Sequence, residues 1–249
     1  MTETNENEIL YHEEIVETCE IKPNPRVLMI VTNSDHFDEH HKTGVWFEEF
    51  AIPYLKFKKE GFFVTTSSLN GGPAPIDPAS ENIIDDIKWH EAKKALEDTT
   101  PLESIDYNFY DAVVFPGGHG PMFDIAESEL IGEIVSSFDK KKKLIAAICH
   151  GPAGLLKAMS DGKAFVNEKK LTCFTNSEET SAKKDKLTPF SLEDALKEKG
   201  ALFIALSDGA VNVIKDKNLI TAQNYQSAEE FALAVIKYLK NNQNHACSM

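Results

Sequence analysis

The chain has 249 residues, a hydrophobic content of 42% and a formal net charge of −14. That length suits one large α/β domain, or one domain with an inserted lobe, and the apolar share is enough to build a buried core. The acidic balance argues against a nucleic-acid partner, because phosphate binders carry a basic patch. No apolar run reaches the ~18 residues of a membrane span. The opening MTETNENEILYHEE lacks the basic start and apolar stretch of a secretory signal. The cysteines are Cys19, Cys149, Cys173 and Cys247, with no CxxC pair and no zinc ribbon. These features point to free thiols in a reducing cytoplasm.

Residues 1–24 are Glu-rich and weakly periodic, and read as an acidic arm without chemistry. One domain is expected over 25–241, followed by a short tail over 242–249. Arg26 to Thr32 (RVLMIVT) is a continuous apolar run, as in a parallel strand buried on both faces. TGVWFEEFAIPYLKFKKEG follows with roughly helical spacing at Val45, Trp46, Phe50, Leu55 and Phe57. Pro53 is expected to kink that helix, and Gly61 to stop it. Phe62 to Thr66 makes the next strand. Residues 69–106 begin NGGPAPIDPAS, dense in turn formers, and contain a charged helical stretch over about 80–96. This is too long for a simple connection and reads as an inserted flap or small lobe.

Ala112 to Phe115 is a strand ending in PGGHG, and a helix is expected over about 123–138. Lys143 to Ile148 is a strand running directly into CHGPAGLLKA, read as helical. Further strands are expected near 170–174, 201–205, 211–214 and 219–222, with helices near 189–199 and 227–239. Such alternation predicts an α/β fold with a doubly wound, mostly parallel sheet, whose ligands bind beyond the carboxyl ends of the strands. PGGHG and CHGP stand at two of those ends.

Cys149 falls at a strand-to-helix turn. A thiol there faces the positive end of the following helix, which favours the thiolate. The plain alternative is a buried small hydrophobe. The adjacent His150, Gly151 and Pro152 favour the reactive reading, because glycine admits a ligand to the backbone and proline suits a first helical turn. An imidazole next to the nucleophile can exchange protons or hold the thiolate as an ion pair; a surface histidine is its alternative. Gly117, Gly118 and His119 sit in the PGGHG turn. Gly118 is a candidate oxyanion donor, and Gly117, His119 and Gly151 candidate substrate neighbours. Glu49 has apolar neighbours, so a carboxyl on that face would be partly buried and its pKa raised; an exposed helix charge, the reading taken for Glu48, is its alternative. His36, His40 and His41 lie in a polar loop and read as solvated, so no metal is assigned.

Together AAICHGPAGLL, PGGHGPMFD, TGVWFEEFAIPY and NGGPAPIDPAS resemble the superfamily of the parkinsonism-associated deglycase and the PfpI-type intracellular protease. Within it the chain is most similar to the branch of heat-shock chaperones and glutathione-independent glyoxalases (glyoxalase III). The resemblance runs from about Arg26 to Leu239. It implies a flavodoxin-like sandwich with Cys149 on a nucleophile elbow, His150 as its partner and Glu49 as the acid that hydrogen-bonds the thiol. Registering the threonines of LTCFT on the branch's strand points to Glu179 as the third member, with Glu178 one residue away. Cys173 replaces the usual glycine, which implies a second thiol near the site. The far-downstream H-x-E arrangement of glutamine amidotransferases is absent.

The implied reaction is conversion of methylglyoxal or glyoxal to lactate or glycolate, with no organic cofactor. A protein or nucleotide deglycase, a peptidase and a holdase chaperone are the alternatives, and a homodimer is the assembly such a family suggests.

Overall fold

The computed structural model describes residues 23–84 and 86–244. Nearly all of the expected acidic arm, together with Cys19 and Cys247, lies outside them. In chain order the elements are β1 (Arg26–Val31), α1 (Phe47–Lys59), β2 (Phe63–Ser68), α2 (His90–Glu97), β3 (Thr100–Pro101), β4 (Ala112–Phe115), α3 (Glu129–Lys140) and β5 (Leu144–Ile148). There follow β6 (Met159–Ser160), β7 (Lys163–Ala164), β8 (Lys170–Leu171), α4 (Asn176–Ser181), α5 (Leu192–Glu198), β9 (Leu202–Phe203), β10 (Val213–Asp216), β11 (Leu219–Ala222) and α6 (Ala228–Asn244).

Seven strands form the main sheet in the order β10-β11-β5-β4-β1-β2-β3. All neighbours run parallel except β10, which is antiparallel to β11. The apolar runs read as strands are central ones, and their side chains alternate between two cores. Val27, Met29 and Val31 pack with α1 and α6, while Leu28 and Ile30 pack with α3 on the other face. Residues such as Val114 and Ile145 are fully buried, and each such side chain contributes roughly 1.5–3 kcal/mol. The chain leaves β1 toward β2 on one side and β4 on the other. The sheet therefore has its switch point between β1 and β4, where crevices open in doubly wound folds.

Several elements differ from the sequence reading. α1 runs unbroken through Pro53. Proline lacks the N–H that would bond the Glu49 carbonyl, but the helix continues on packing of Phe50, Ala51, Tyr54 and Phe57. The helix expected over 80–96 is two 3-10 turns, Pro78–Ile83 and Ile87–Trp89, before α2. Asp77 and Asp86 cause this: their side chains accept the N–H groups of Ala79 and Lys88, tying the backbone locally at each start. α3 begins at Glu129 rather than near 123, because Ser128 caps it by accepting from Ile131 N–H. The segment after Cys149 is a 3-10 turn, Gly151–Leu155, not an α-helix. β8 and β9 pair with each other outside the main sheet, and β6 and β7 form a hairpin that the sequence reading lacks. The 69–106 segment covers the end of α1 with α2 and contributes β3 as an edge strand. Among the described residues no helix is long and apolar enough to cross a membrane.

Candidate active site

β5 delivers Cys149 at the carboxyl edge of the sheet, between β4 and β11. Its φ is 60°, in the left-handed region that only glycine enters without cost. Both of its peptide groups are anchored. Cys149 N–H donates to the Ala222 carbonyl at 2.9 Å, and Phe174 N–H donates to the Cys149 carbonyl at 2.9 Å. A sharp turn held in this way pushes the side chain out of the sheet toward the end of β4. The residue is 5% exposed.

His150 Nδ1 lies 3.3 Å from Cys149 Sγ, and His150 Nε2 hydrogen-bonds Glu179 Oε1. The second carboxylate oxygen, Oε2, is 3.2 Å from His119 Nε2. Burial alone would raise the Glu179 pKa. The bonds from His119 and His150 outweigh it and hold the carboxyl well below the usual range. An ionised carboxylate only accepts, so both Nε2 atoms carry the hydrogen. In the neutral ring, His150 Nδ1 is then a lone pair facing the thiol, the tautomer needed to take its proton. His119 is pushed down to about 4 by burial and then by the neighbouring His150, so it is neutral at physiological pH.

Glu49 approaches from the first turn of α1 and is 0% exposed. Gly117 N–H donates to its Oε2 at 2.9 Å, while Oε1 is buried without a partner. A Cβ at Gly117 would come within 2.5 Å of that same Oε2 and 2.8 Å of Cys149 Cβ. Only glycine lets β4, α1 and the elbow converge here. Burial pushes the Glu49 carboxyl well above its ordinary range, against opposing hydrogen bonds from the thiol and Gly117. The expectation of a raised carboxyl pKa is met by a carboxyl that lies against the sulfur.

The thiol itself departs from expectation. Burial pushes Cys149 well up, and a charged or hydrogen-bonded Glu49 pushes in the same direction; the Gly118 N–H, turned to the sulfur, opposes them. Burial is the largest of these causes. The 3-10 turn after Cys149 has too few aligned peptides to offset it. The resting thiol is therefore protonated. Gly151 also differs from its reading. A Cβ there would come within 2.0 Å of the Phe115 carbonyl, so this glycine serves close packing on β4 rather than ligand approach.

The family model described as DJ-1/PfpI family matches residues 42–238, a span holding every residue just described. The chain belongs to the DJ-1/PfpI family. It is 26% identical to Glyoxalase 3 of Candida albicans, over 87% of this chain and 99% of that protein. It is 27% identical to the glutathione-independent glyoxalase hsp3101 of Schizosaccharomyces pombe, over 85% of this chain and 95% of that one. Two solved structures superpose along most of their length. The Rapid Encystment Protein of Francisella tularensis has a TM-score of 0.80 at 34% identity, covering 86% of this chain and 99% of that one. Glyoxalase III of C. albicans has a TM-score of 0.74 at 26% identity, covering 86% and 96%.

In this DJ-1/PfpI chain the neighbours Glu178 and Glu179 point different ways. Glu178 sits in a capping box with Thr175 at the start of α4. Its oxygens accept from the Thr175 N–H and hydroxyl, Gln223 Nε2, the Gly209 N–H and Asn224 Nδ2. That network clamps α4 to β11 and to the 205–212 loop, and so holds Glu179 under the two imidazoles. Cys173 and Phe174 split in the same way. The Phe174 ring lies 4.9 Å from that of His150, while Cys173 is fully buried in the core on the α3 side. Its thiol, also pushed up by burial, donates to the Phe174 carbonyl and is not beside Cys149.

His36 and His41 are exposed and paired with Asp35 and Asp38, in keeping with the solvated reading. Among the described residues, the group of ligand atoms close enough for a metal ion is His119, His150 and Glu179, within 4.8 Å. Their Nε2 and carboxylate atoms are already engaged with one another, so an ion would have to break the contact that fixes the His150 tautomer.

Three outcomes follow from these carboxylates. Glu178→Gln sets an amide against donors and should cost about 1.5–3 kcal/mol, lowering Tm by roughly 2–4 °C per kcal/mol at this chain size, with turnover below Tm largely kept. Glu179→Gln sets an amide against two imidazole donors and should also lower Tm, but it should in addition lower kcat about 10²–10⁴-fold; a larger loss of turnover in the Glu178 variant would reassign the pair. For Glu49, the unfolded carboxyl titrates near 4.5 while the folded one keeps its proton well above that. Its contribution is present below pH 4.5 and is lost as pH rises toward the folded pKa. Glu49→Gln, which has no proton to lose, should therefore gain Tm over the natural protein progressively as pH rises above about 4.5. A difference independent of pH would show that Glu49 ionises freely in the folded state.

Proposed function

We propose that this protein is a glutathione-independent glyoxalase that converts methylglyoxal to lactate, with Cys149 as nucleophile. The observation that carries this reading is the fully buried Glu49 carboxyl beside the thiol, whose pKa burial raises. A hydrolase built on cysteine, histidine and glutamate needs no second acid at the sulfur. An aldehyde isomerase does, because a proton must leave one carbon and reach its neighbour. The 5% exposure of Cys149 favours a small substrate over a peptide or a glycated protein side chain. The names of relatives that this chain matches over most of its length lend the same support.

In the proposed sequence Cys149 Sγ attacks the aldehyde carbon, C1. The thiol proton passes to His150 Nδ1 and on to the aldehyde oxygen, giving a hemithioacetal. Glu179 keeps His150 in the accepting tautomer and stabilises the imidazolium. Glu49 first gives its proton to the C2 carbonyl oxygen and, as a carboxylate, takes the C1–H proton to form the enediol; it then returns that proton to C2 and recovers one from the C1 hydroxyl. Glu49 suits this carrier role because its Oε1 has no hydrogen-bond partner and burial raises its pKa above the ordinary carboxyl range. C1 is thereby oxidised to a thioester while C2 is reduced to an alcohol, so no external electron acceptor is needed. Water cleaves the thioester, releasing lactate and the free thiol. The Gly118 N–H is the oxyanion donor, and Gly117, which bonds Glu49, sets the position of the acid. Removal of one such oxyanion donor typically costs about 10²–10³-fold in kcat.

The deciding assay is D-lactate formation from methylglyoxal without glutathione. The natural protein should form it and Cys149→Ala should not; activity surviving in Cys149→Ala would remove the nucleophile. Glu49→Gln should still allow hemithioacetal formation, visible as saturable protection of Cys149 from iodoacetamide by methylglyoxal. It should lower turnover by about 10²–10⁴-fold. Full turnover in Glu49→Gln would take the proton transfer away from Glu49.

A further inference from the structure

Glu179 is gripped at both oxygens, and a cysteine–histidine–glutamate triad accounts for only one of them. We infer that His119 is a positioning residue, a fourth member that holds Glu179 Oε2 through its Nε2–H and thereby fixes the axis along which His150 faces the thiol. The inference deepens the glyoxalase reading and rests on it only for the turnover arm of the test below.

Three observations carry it. First, the contact is buried and specific. His119 is 6% exposed and Glu179 8%, so a carboxylate oxygen left without a donor there would be costly. Second, the ring is immobilised. Its centroid lies 4.0 Å from that of His150, 4.9 Å from Phe37 and 6.1 Å from Phe174. Phe37 is backed by Lys184 Nζ at 4.7 Å, and Lys184 N–H bonds the Glu179 carbonyl. The elements that bring the two residues together are thus braced from both ends. Third, the donor is of the right kind. When the thiolate forms, His150 becomes an imidazolium. A lysine or arginine on Oε2 would set a second cation beside it and weaken Glu179 as its counter-charge. A neutral imidazole supplies the bond without the charge.

The titratable groups facing this cluster are Glu179, His150 and Cys149, with Asp77 acting at longer range and Lys184 beyond the Phe37 ring. His119 at about 4 stays uncharged through the working range. Its Nδ1 is buried without a partner, in keeping with an Nε2–H tautomer dictated by Glu179 and not by substrate.

The test uses the full chain with His119→Gln, whose side-chain amide can still donate to Glu179, and His119→Leu, which fills space and donates nothing. His119→Leu should lower kcat for methylglyoxal on the order of 10- to 100-fold, the worth of one hydrogen bond to a charged group, with KM little changed. It should also displace the pH profile of Cys149 alkylation by iodoacetamide. His119→Gln should recover most of kcat and the natural alkylation profile. A raised KM at unchanged kcat would make His119 a substrate ligand and overturn the inference. So would a glutamine variant as impaired as the leucine one, or an alkylation profile identical in all three proteins. If His119→Leu does not fold, ¹⁵N NMR of the natural protein decides: His119 should carry its proton on Nε2 at pH 7, and a proton on Nδ1 overturns the assignment. Absence of turnover in the natural protein would sink the glyoxalase reading alone, because the alkylation and tautomer measurements need no substrate.

Discussion

The left-handed backbone at Cys149 is the constraint on which the site depends. A non-glycine residue at φ 60° is strained, and such strain persists only where the surroundings over-determine it. Here the amide is tied to β11 through Ala222, and the carbonyl to the segment after β8 through Phe174. The turn thus joins the central sheet to the chain that carries Glu179. The same turn throws the sulfur against the end of β4, where Gly117 leaves room for it and for Glu49. Move the elbow, and the histidine, both glutamates and the Gly118 N–H lose their common focus.

Around that focus two carboxyl groups are driven in opposite directions. Glu49 has one amide donor and an apolar shell, so burial raises its pKa. Glu179 has two imidazoles, so it gives its proton up. Equal chemistry placed in unequal surroundings yields an acid and an anion a few bonds from one sulfur. The thiol responds to both. It stays protonated in the resting site, with an imidazole placed between it and Glu179.

Much of this was legible in the sequence, for physical reasons that can be named. β1, β4 and β5 are central parallel strands, and such strands advertise themselves as unbroken apolar runs. The turns that follow β4 and β5 carry their chemistry in adjacent residues, so Gly117, Gly118, Cys149 and His150 could be read from short windows. Glu49 and Glu179 came from resemblance, since a carboxylate on a helix looks the same whether it faces water or a sulfur. The pairing of His119 with Glu179 spans 60 residues and leaves no local pattern. The 3-10 turns over 78–89 depend on aspartate side chains competing for backbone N–H groups, which residue periodicity does not register. The direction of the thiol shift was misread for a related reason. It turns on how deep the elbow sits and how short the following turn is, and neither is a property of the motif.

Pro53 has a mechanical consequence for the acid that α1 carries. With no N–H at Pro53, the Glu49 carbonyl has no partner four residues on, so the first turn of α1 is tied less tightly to the rest of its own helix. What steadies it comes from elsewhere: Phe47 N–H donates to Ser80 Oγ, and Val45 is bridged to the chain at Pro75 and Asp77. The 69–106 segment therefore works as a splint for the residue that approaches the sulfur. Changes in its length would be felt at the reaction centre as a loss of aim, even where no contact with a bound molecule is touched.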